Sequence, residues 1–203
     1  MHSLQKDYEK LNLSRKLHED MARLVTTDCF IAIEDDTLPP KNAVVRLLEL
    51  LRGIPEIGFV GTVCAYRSPH VHKMGINAIK ELTFGVVEGK KQVIKKLCFH
   101  PSAIGVLDVD AAGWACFAAK TKTFLDAFKK ADEEKYFPTY IGNDMLFTHL
   151  IKKLGYKVLV DFDLWCDHMQ ELPDGIYFYN KKDAIQDSYI WSDREKIYKY
   201  KAL

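Results

Sequence analysis

The chain is predicted to be an α/β protein built on a mixed, largely parallel sheet flanked by helices. Three observations carry this. Residues 29–33, Cys-Phe-Ile-Ala-Ile, form a short continuous apolar run, and residues 57–65 form a second. Such runs read as strands buried on both faces. Between them, Pro39 and Pro40 open and Gly53 closes a segment carrying Val44, Val45, Leu47, Leu48 and Leu51. Proline at the start and glycine past the end punctuate a helix. Helix, strand, helix, strand is the rhythm of an α/β domain.

Taken in order, residues 4–24 place Leu11, Leu17, Met21 and Leu24 among charges, as an amphipathic helix does. Thr26, Thr27 and Asp28 end it before the first strand. Residues 66–101 contain Gly75, Gly85, Gly89 and a lysine-rich patch at 90–96, and read as loops with short strands. Residues 106–109 and 114–119 look like strands on either side of Gly113. Residues 121–131 look helical. Residues 143–154 have a clear helical pattern closed by Gly155. Residues 156–160 and 164–168 read as two further strands, and 181–200 as a helix packed on the outside. The division that follows is a main domain over residues 1–169 and a helical or irregular tail over 170–203.

The bulk composition excludes several classes. The chain has 203 residues and a formal net charge of +1. No basic excess points to nucleic acid. The five cysteines, Cys29, Cys64, Cys98, Cys116 and Cys166, are odd in number and widely spaced, mostly within apolar runs. That pattern suits reduced thiols better than a disulfide framework. The polar first nine residues lack the apolar core of a secretory signal. No apolar run reaches the ~20 residues of a membrane span. A cytoplasmic location is the default expectation, with peripheral membrane contact left open.

Glu34-Asp35-Asp36 follows the first strand directly. If the extended backbone persists through Asp36, alternation puts Glu34 and Asp36 on one face, with Asp35 pointing away. Ligands of open α/β sheets bind beyond the carboxyl ends of strands. Carboxylates there suit magnesium or manganese bridging to phosphates. The same acids also suit the positive end of the helix that follows. A second constellation is Gly142-Asn143-Asp144 at the start of a helix, where an acid serves capping as well as catalysis. His168 closes the run Leu-Trp-Cys-Asp-His, and a lone histidine there also serves as a structural hydrogen-bonding group. His70 and His72 would share a strand face but sit in a loop context.

Together, the runs CFIAIEDDTLPPKNAVVRLLELL, VDAAGWACFAAKTKTF and GNDMLFTHLIKKLGYKVLVDFDLWCDH resemble the family-2-like glycosyltransferases of the GT-A fold. The likeness spans residues 11–169. It implies a DxD-type motif at Glu34, Asp35 and Asp36, the outer two holding a divalent metal, Mn2+ or Mg2+, on a nucleotide-sugar donor. Asp35 and the pair Gly113 and Trp114 are implied to lie against the bound donor and acceptor. Asp144 maps onto the catalytic base of inverting members, and His168 onto a further metal ligand. The implied reaction moves a sugar from a nucleoside diphosphate to an acceptor hydroxyl.

The chain departs from this family in identifiable places. Members carry most of a nucleotide-binding half before the acidic motif, whereas only 33 residues precede Glu34 here. The expectation is an N-terminally truncated GT-A domain with an exposed sheet edge, covered by self-association or by a partner chain supplying the missing half. Glutamate replaces the first aspartate of the motif, and Asn143 stands where many members have an acid. The tail has no Q-x-x-R-W motif of processive synthases. Two other readings remain: an incomplete GT-A domain acting as a scaffold with a partner, and a metal-dependent phosphoester hydrolase.

Overall fold

A computed structural model describes residues 13, 15–68, 73–87, 90–134, 142–172 and 175–188. A helix, α1, covers residues 15–24 and leads into β1 (Cys29–Ile33). β2 (Thr37–Leu38), α2 (Ala43–Gly53) and β3 (Ile57–Ser68) follow. Next come β4 (Lys73–Ile76), β5 (Ala78–Val87) and β6 (Lys90–Cys98). β7 (Val106–Asp108), β8 (Ala111–Ala112), β9 (Cys116–Lys120) and α3 (Thr121–Glu133) come after them. The described chain closes with α4 (Asn143–Lys153), β10 (Lys157–Leu172), β11 (Gly175–Tyr179) and α5 (Lys181–Ser188).

The main sheet runs β1-β9-β3-β10-β11, with β2 and β7 added on β10 and β4 on β3. β9 is antiparallel to both β1 and β3, while β10 is parallel to β3. Three of these four strands therefore point the same way, and β9 is wedged between two of them in reverse. The sheet is mixed, as expected, but it is not largely parallel: β2, β4, β7, β9 and β11 run against β1, β3 and β10, and only the β3–β10 ladder is a parallel pairing among the described residues. β6-β5-β8 forms a separate three-stranded sheet.

Strand alternation splits the core into two layers. Phe30 and Ala32 of β1, Phe117 and Ala119 of β9, and Val158, Val160 and Phe162 of β10 face α1, α3 and α4. Cys29, Ile31, Cys116, Ala118 and Leu159 face α2 on the other side. α2 answers with Ala43, Leu47 and Leu51, spaced one turn apart and buried. α3 answers with Phe124, Ala127, Phe128 and Ala131. Each large side chain so buried contributes about 1.5–3 kcal/mol.

α4 differs from the other helices. Asn143 and every residue from Met145 to Ile151 are buried. The helix lies in the interior on all sides, and it carries the polar Asn143, Thr148 and His149 in with its apolar residues. Asp144 is the one position between 143 and 151 that is not buried. Gly155 ends the helix at φ 92°, the left-handed conformation that glycine adopts at low cost.

Several sequence expectations need correction. The segment 78–98, read as loops and short strands, is a long hairpin of β5 and β6. The two strands expected at 156–160 and 164–168 are one strand of 16 residues, with an irregularity in its β3 ladder between Asp161 and Trp165. β10 runs through Leu172 and pairs with β11, so a boundary at 169/170 would cut the sheet. His70, His72, residues 1–12 and the tail beyond 188 lie outside the described residues. No helix among the described residues is long and apolar enough to cross a membrane.

Candidate functional site

The site forms where β1 stops. β1 ends at Ile33, and the Glu34 amide donates to the Ala115 carbonyl at 2.9 Å. The chain then turns, with the Thr37 amide returning to the Glu34 carbonyl at 3.2 Å. On the far side of the turn, the Met169 amide donates to the Asp36 carbonyl at 2.7 Å. Thr37 in β2 lies opposite His168 in β10. Glu34 is thus tied to the β8–β9 connection and Asp36 to β10. The extended backbone does not persist through Asp36, so strand alternation does not set where these carboxylates point.

His168 sits between two acceptors. Its Nδ1 lies 3.0 Å from the Ala65 carbonyl oxygen, and its Nε2 lies 3.1 Å from Asp36 Oδ2. A carbonyl oxygen only accepts, so Nδ1 carries the proton of that bond. Nε2 then faces a carboxylate, which pairs it either with a second proton or with a shared cation. Two ligands at ~2.1 Å from one ion and at right angles are about 3.0 Å apart. The donor chemistry and spacing of Asp36 and His168 therefore fit a divalent ion as well as an ion pair.

Asp144 arrives from the other direction. Thr148, one turn further along α4, pins the helix to β8: its Oγ1 accepts from the Ala112 amide at 2.9 Å and lies 2.9 Å from the Ala112 carbonyl. Asn77 fixes the adjoining strand end, accepting from the Cys64 amide at 2.9 Å and donating to the Thr62 carbonyl at 3.3 Å. The Gly113 amide donates to the Asn77 carbonyl at 2.7 Å. A Cβ at Gly113 would stand 3.1 Å from Asp144 Oδ2, so only a residue without a side chain lets Asp144 pack this closely.

Electrostatics confirm that these acids share one region. Glu34 keeps an open side to solvent, but crowding protein atoms strip part of its hydration. That desolvation, followed by the charges of Asp144, Asp36 and Asp35, pushes its carboxyl up to about 7. Cys64, buried in β3, is raised first by burial and then by Glu34, Asp144 and Asp36. Acids from two distant chain segments act on both groups.

The structure therefore brings Glu34, Asp35, Asp36, Asp144, Gly113 and His168 to one end of the sheet. Asp36 and His168 are in direct contact, but Glu34 does not join them in a ready-made ligand set. Among the described residues, no group of three or more His, Cys, Asp or Glu is arranged to hold a metal ion. Trp114 departs furthest from expectation. It is 3 % exposed and packs among Phe117, Phe124 and Phe147, with the His18 ring 4.6 Å away. Its ring belongs to the core, because the residue after Gly113 points into the layer under α3 and α4. Asn77 and Thr148, which hold Gly113 and Asp144 in place, do not stand out in the sequence: Asn77 lies outside the three runs that carry the resemblance, and Thr148 reads as an ordinary position of the helix.

The chain matches no protein-family model and no curated protein sequence. Among solved structures it is similar to the crystal structure of A197 from STIV. The identity is 11% and the TM-score 0.40, with 99% of this chain and 81% of that chain covered.

Proposed function

We propose that this protein is a metal-dependent glycosyltransferase of the GT-A type, moving a sugar from a nucleoside-diphosphate donor to an acceptor hydroxyl with inversion. The observation that carries this reading is the convergence of Glu34, Asp36 and Asp144 beside Gly113 at the end of β1. Acids from separate chain segments, crowded so that Glu34 is held above the usual carboxylate range, form a place for a cation and its anionic ligand.

Asp36 and His168 would hold the ion, with Glu34 adding charge from the side. When bound, a divalent ion neutralises charge on the departing diphosphate. Asp144 keeps solvent contact at the start of a buried helix, and would take the proton of the acceptor hydroxyl as that oxygen attacks the anomeric carbon. Gly113, without a side chain, lets Asn77 and Asp144 pack directly against its backbone. Thr148 and Asn77 hold Asp144 and Gly113 in register, limiting the motion that would cost rate.

A second reading, an incomplete domain that works as a binding protein with a partner, is favoured by one feature. Leu13, Leu17, Met21 and Leu24 of the first helical segment are 71, 57, 58 and 82 % exposed. These residues lie on one side of the helix, away from the Arg15, His18 and Ala22 contacts with the core. An apolar stripe of this kind marks an interaction surface.

Thermal melting with UDP or GDP, each with manganese or with a chelator, separates the two. A ligand that binds only the folded state raises its stability by mass action. A manganese-dependent rise that disappears in Asp36→Ala supports the transferase. No rise with either nucleotide favours the binding protein. Asp144→Asn should keep donor binding and lose transfer; full turnover in that variant would remove Asp144 from the role of base.

A further inference from the structure

β1 is an edge strand without the usual protection. Among the described residues it pairs with β9 alone, leaving its other side open. Natural edges are blunted by lysine, proline, a bulge or a cover. The sequence Cys-Phe-Ile-Ala-Ile has no charge and no proline, and its ladder with β9 has no register shift. Its neighbour β9 is buried from Cys116 to Ala119, whereas every residue of β1 keeps some exposure, rising to 47 % at Ile33.

The two ends of this edge carry opposite charge. Beyond Ile33 stand Glu34, Asp35 and Asp36. Beside Cys29 lies a cavity of about 630 Å³ lined by Arg52 and Lys120, with Asp28 as its one acid. An Arg52 guanidinium nitrogen lies 3.8 Å from Cys29 Sγ, and Lys120 is the register partner of Cys29 in β9.

We propose that the free edge of β1 is a self-association surface, on which a second copy of this chain pairs β1 antiparallel to β1 about a two-fold axis at Ile31. Three features select this occupant. A two-fold operation makes two identical strands antiparallel, and the interface uses one patch on both copies. With Ile31 opposite Ile31, Phe30 lies opposite Ala32 on the face of α1, α3 and α4, so a large side chain meets a small one twice. Cys29 then lies opposite Ile33, and the acidic turn that begins at Glu34 comes next to the end of the mate's β1 where Asp28, Arg52 and Lys120 line the cavity. The three acids of one copy then stand near the end of its mate where two bases outnumber one acid, whereas a parallel arrangement would set the acids against acids. Each acidic site therefore gains basic groups from the second copy. The inference does not depend on the transferase reading.

The test is the mass of the full chain in solution from about 1 to 100 μM, the range of ordinary dimer affinities. The expected result is a concentration-dependent rise from 23.4 kDa to twice that mass. Ile33→Lys, at an exposed strand end, should weaken the dimer at least about tenfold while keeping the wild-type melting temperature at concentrations where both proteins are monomeric. Ile31→Cys should give a disulfide-linked dimer under mild oxidation, because its copies face each other across the axis. The native Cys29 residues would be roughly 13 Å apart along the strands and should stay unlinked. A monomer throughout this range would overturn the proposal. So would a dimer that Ile33→Lys does not weaken and Ile31→Cys does not trap, since its interface would lie elsewhere.

Discussion

Replacing Gly113 by alanine tests the packing that brings Asp144 into the site. The added Cβ would stand 2.7 Å from Asn77 Cβ, 3.1 Å from Asp144 Oδ2 and 3.2 Å from Asn77 Nδ2. Carbon atoms in contact prefer about 3.5–4.0 Å, so roughly 1 Å of movement is required. Asn77 resists it, being held by Cys64, Thr62 and Gly113 through four hydrogen bonds of 2.7 to 3.3 Å. Overpacking of a rigid site costs about 1–3 kcal/mol. For a chain of this size each kcal/mol moves the midpoint by about 2–4 °C, so a fall of about 2–12 °C is expected. Gly142→Ala is the control. Its Cβ would fall on the carboxylate of Asp144 itself, a flexible group that can swing aside. That variant should melt near the wild type while losing site function. Thermal melting of both, with manganese-dependent nucleotide binding as the second readout, decides the matter. A Gly113→Ala protein that melts within about 1 °C of wild type and binds equally well would refute the close-packing account.

Two further outcomes are expected. The Glu34 carboxyl is raised from 4.5 to about 7 by desolvation first and by its acidic neighbours second. The folded state then holds this proton more tightly than the unfolded state, so its contribution is full below about 4.5 and is lost as pH rises through about 7. Melting temperatures should fall between pH 5 and pH 8, Glu34→Gln should flatten that fall, and an unaltered profile in the variant would contradict the assignment. Phe147→Ala should cost about 3–5 kcal/mol by chemical denaturation. The ring is fully buried, 4.1 Å from Phe128 and stacked on Trp114, and a loss below about 1 kcal/mol would mean that this layer collapses around the gap.

The parts of the fold that could be read from sequence are those whose signal is local. The apolar run at Cys29–Ile33, the proline-to-glycine punctuation around Ala43–Gly53 and the helix closed by Gly155 all appear where expected. The hairpin of β5 and β6 was hidden because its second strand is lysine-rich and shows neither clean alternation nor a continuous apolar run. The continuity of β10 was hidden by Asp161 and Asp163, which look like a break. In the fold Asp161 is buried and paired with Arg46 at 3.2 Å, while it also accepts from the Asp163 amide.

The candidate site followed the same division. The family resemblance of three ordered runs implied that Glu34, Asp36, Asp144 and His168 share one region. Their orientations could not be inferred, because they depend on tertiary bonds: Ala115 holds Glu34 and Met169 holds Asp36. Trp114 went the other way for a similar reason. Its neighbour Gly113 faces the acids, and a ring one position along meets the aromatic layer beneath α3 and α4.

The irregularity in β10 separates two tasks within one strand. Residues 157–161 hold the first part of the β3 ladder and the β7 ladder, while 165–172 resume the β3 ladder at Trp165 and Cys166, bring His168 to Asp36 and carry β2 and β11. A one-residue slip inverts every side chain beyond it. A slip carried through from 162–164 would therefore turn His168 away from the acids and break the Trp165 and Cys166 pairs with β3, while residues 157–161 kept theirs. This short stretch acts as a vernier, through which mutation can retune the histidine while the foundation of the sheet stays fixed.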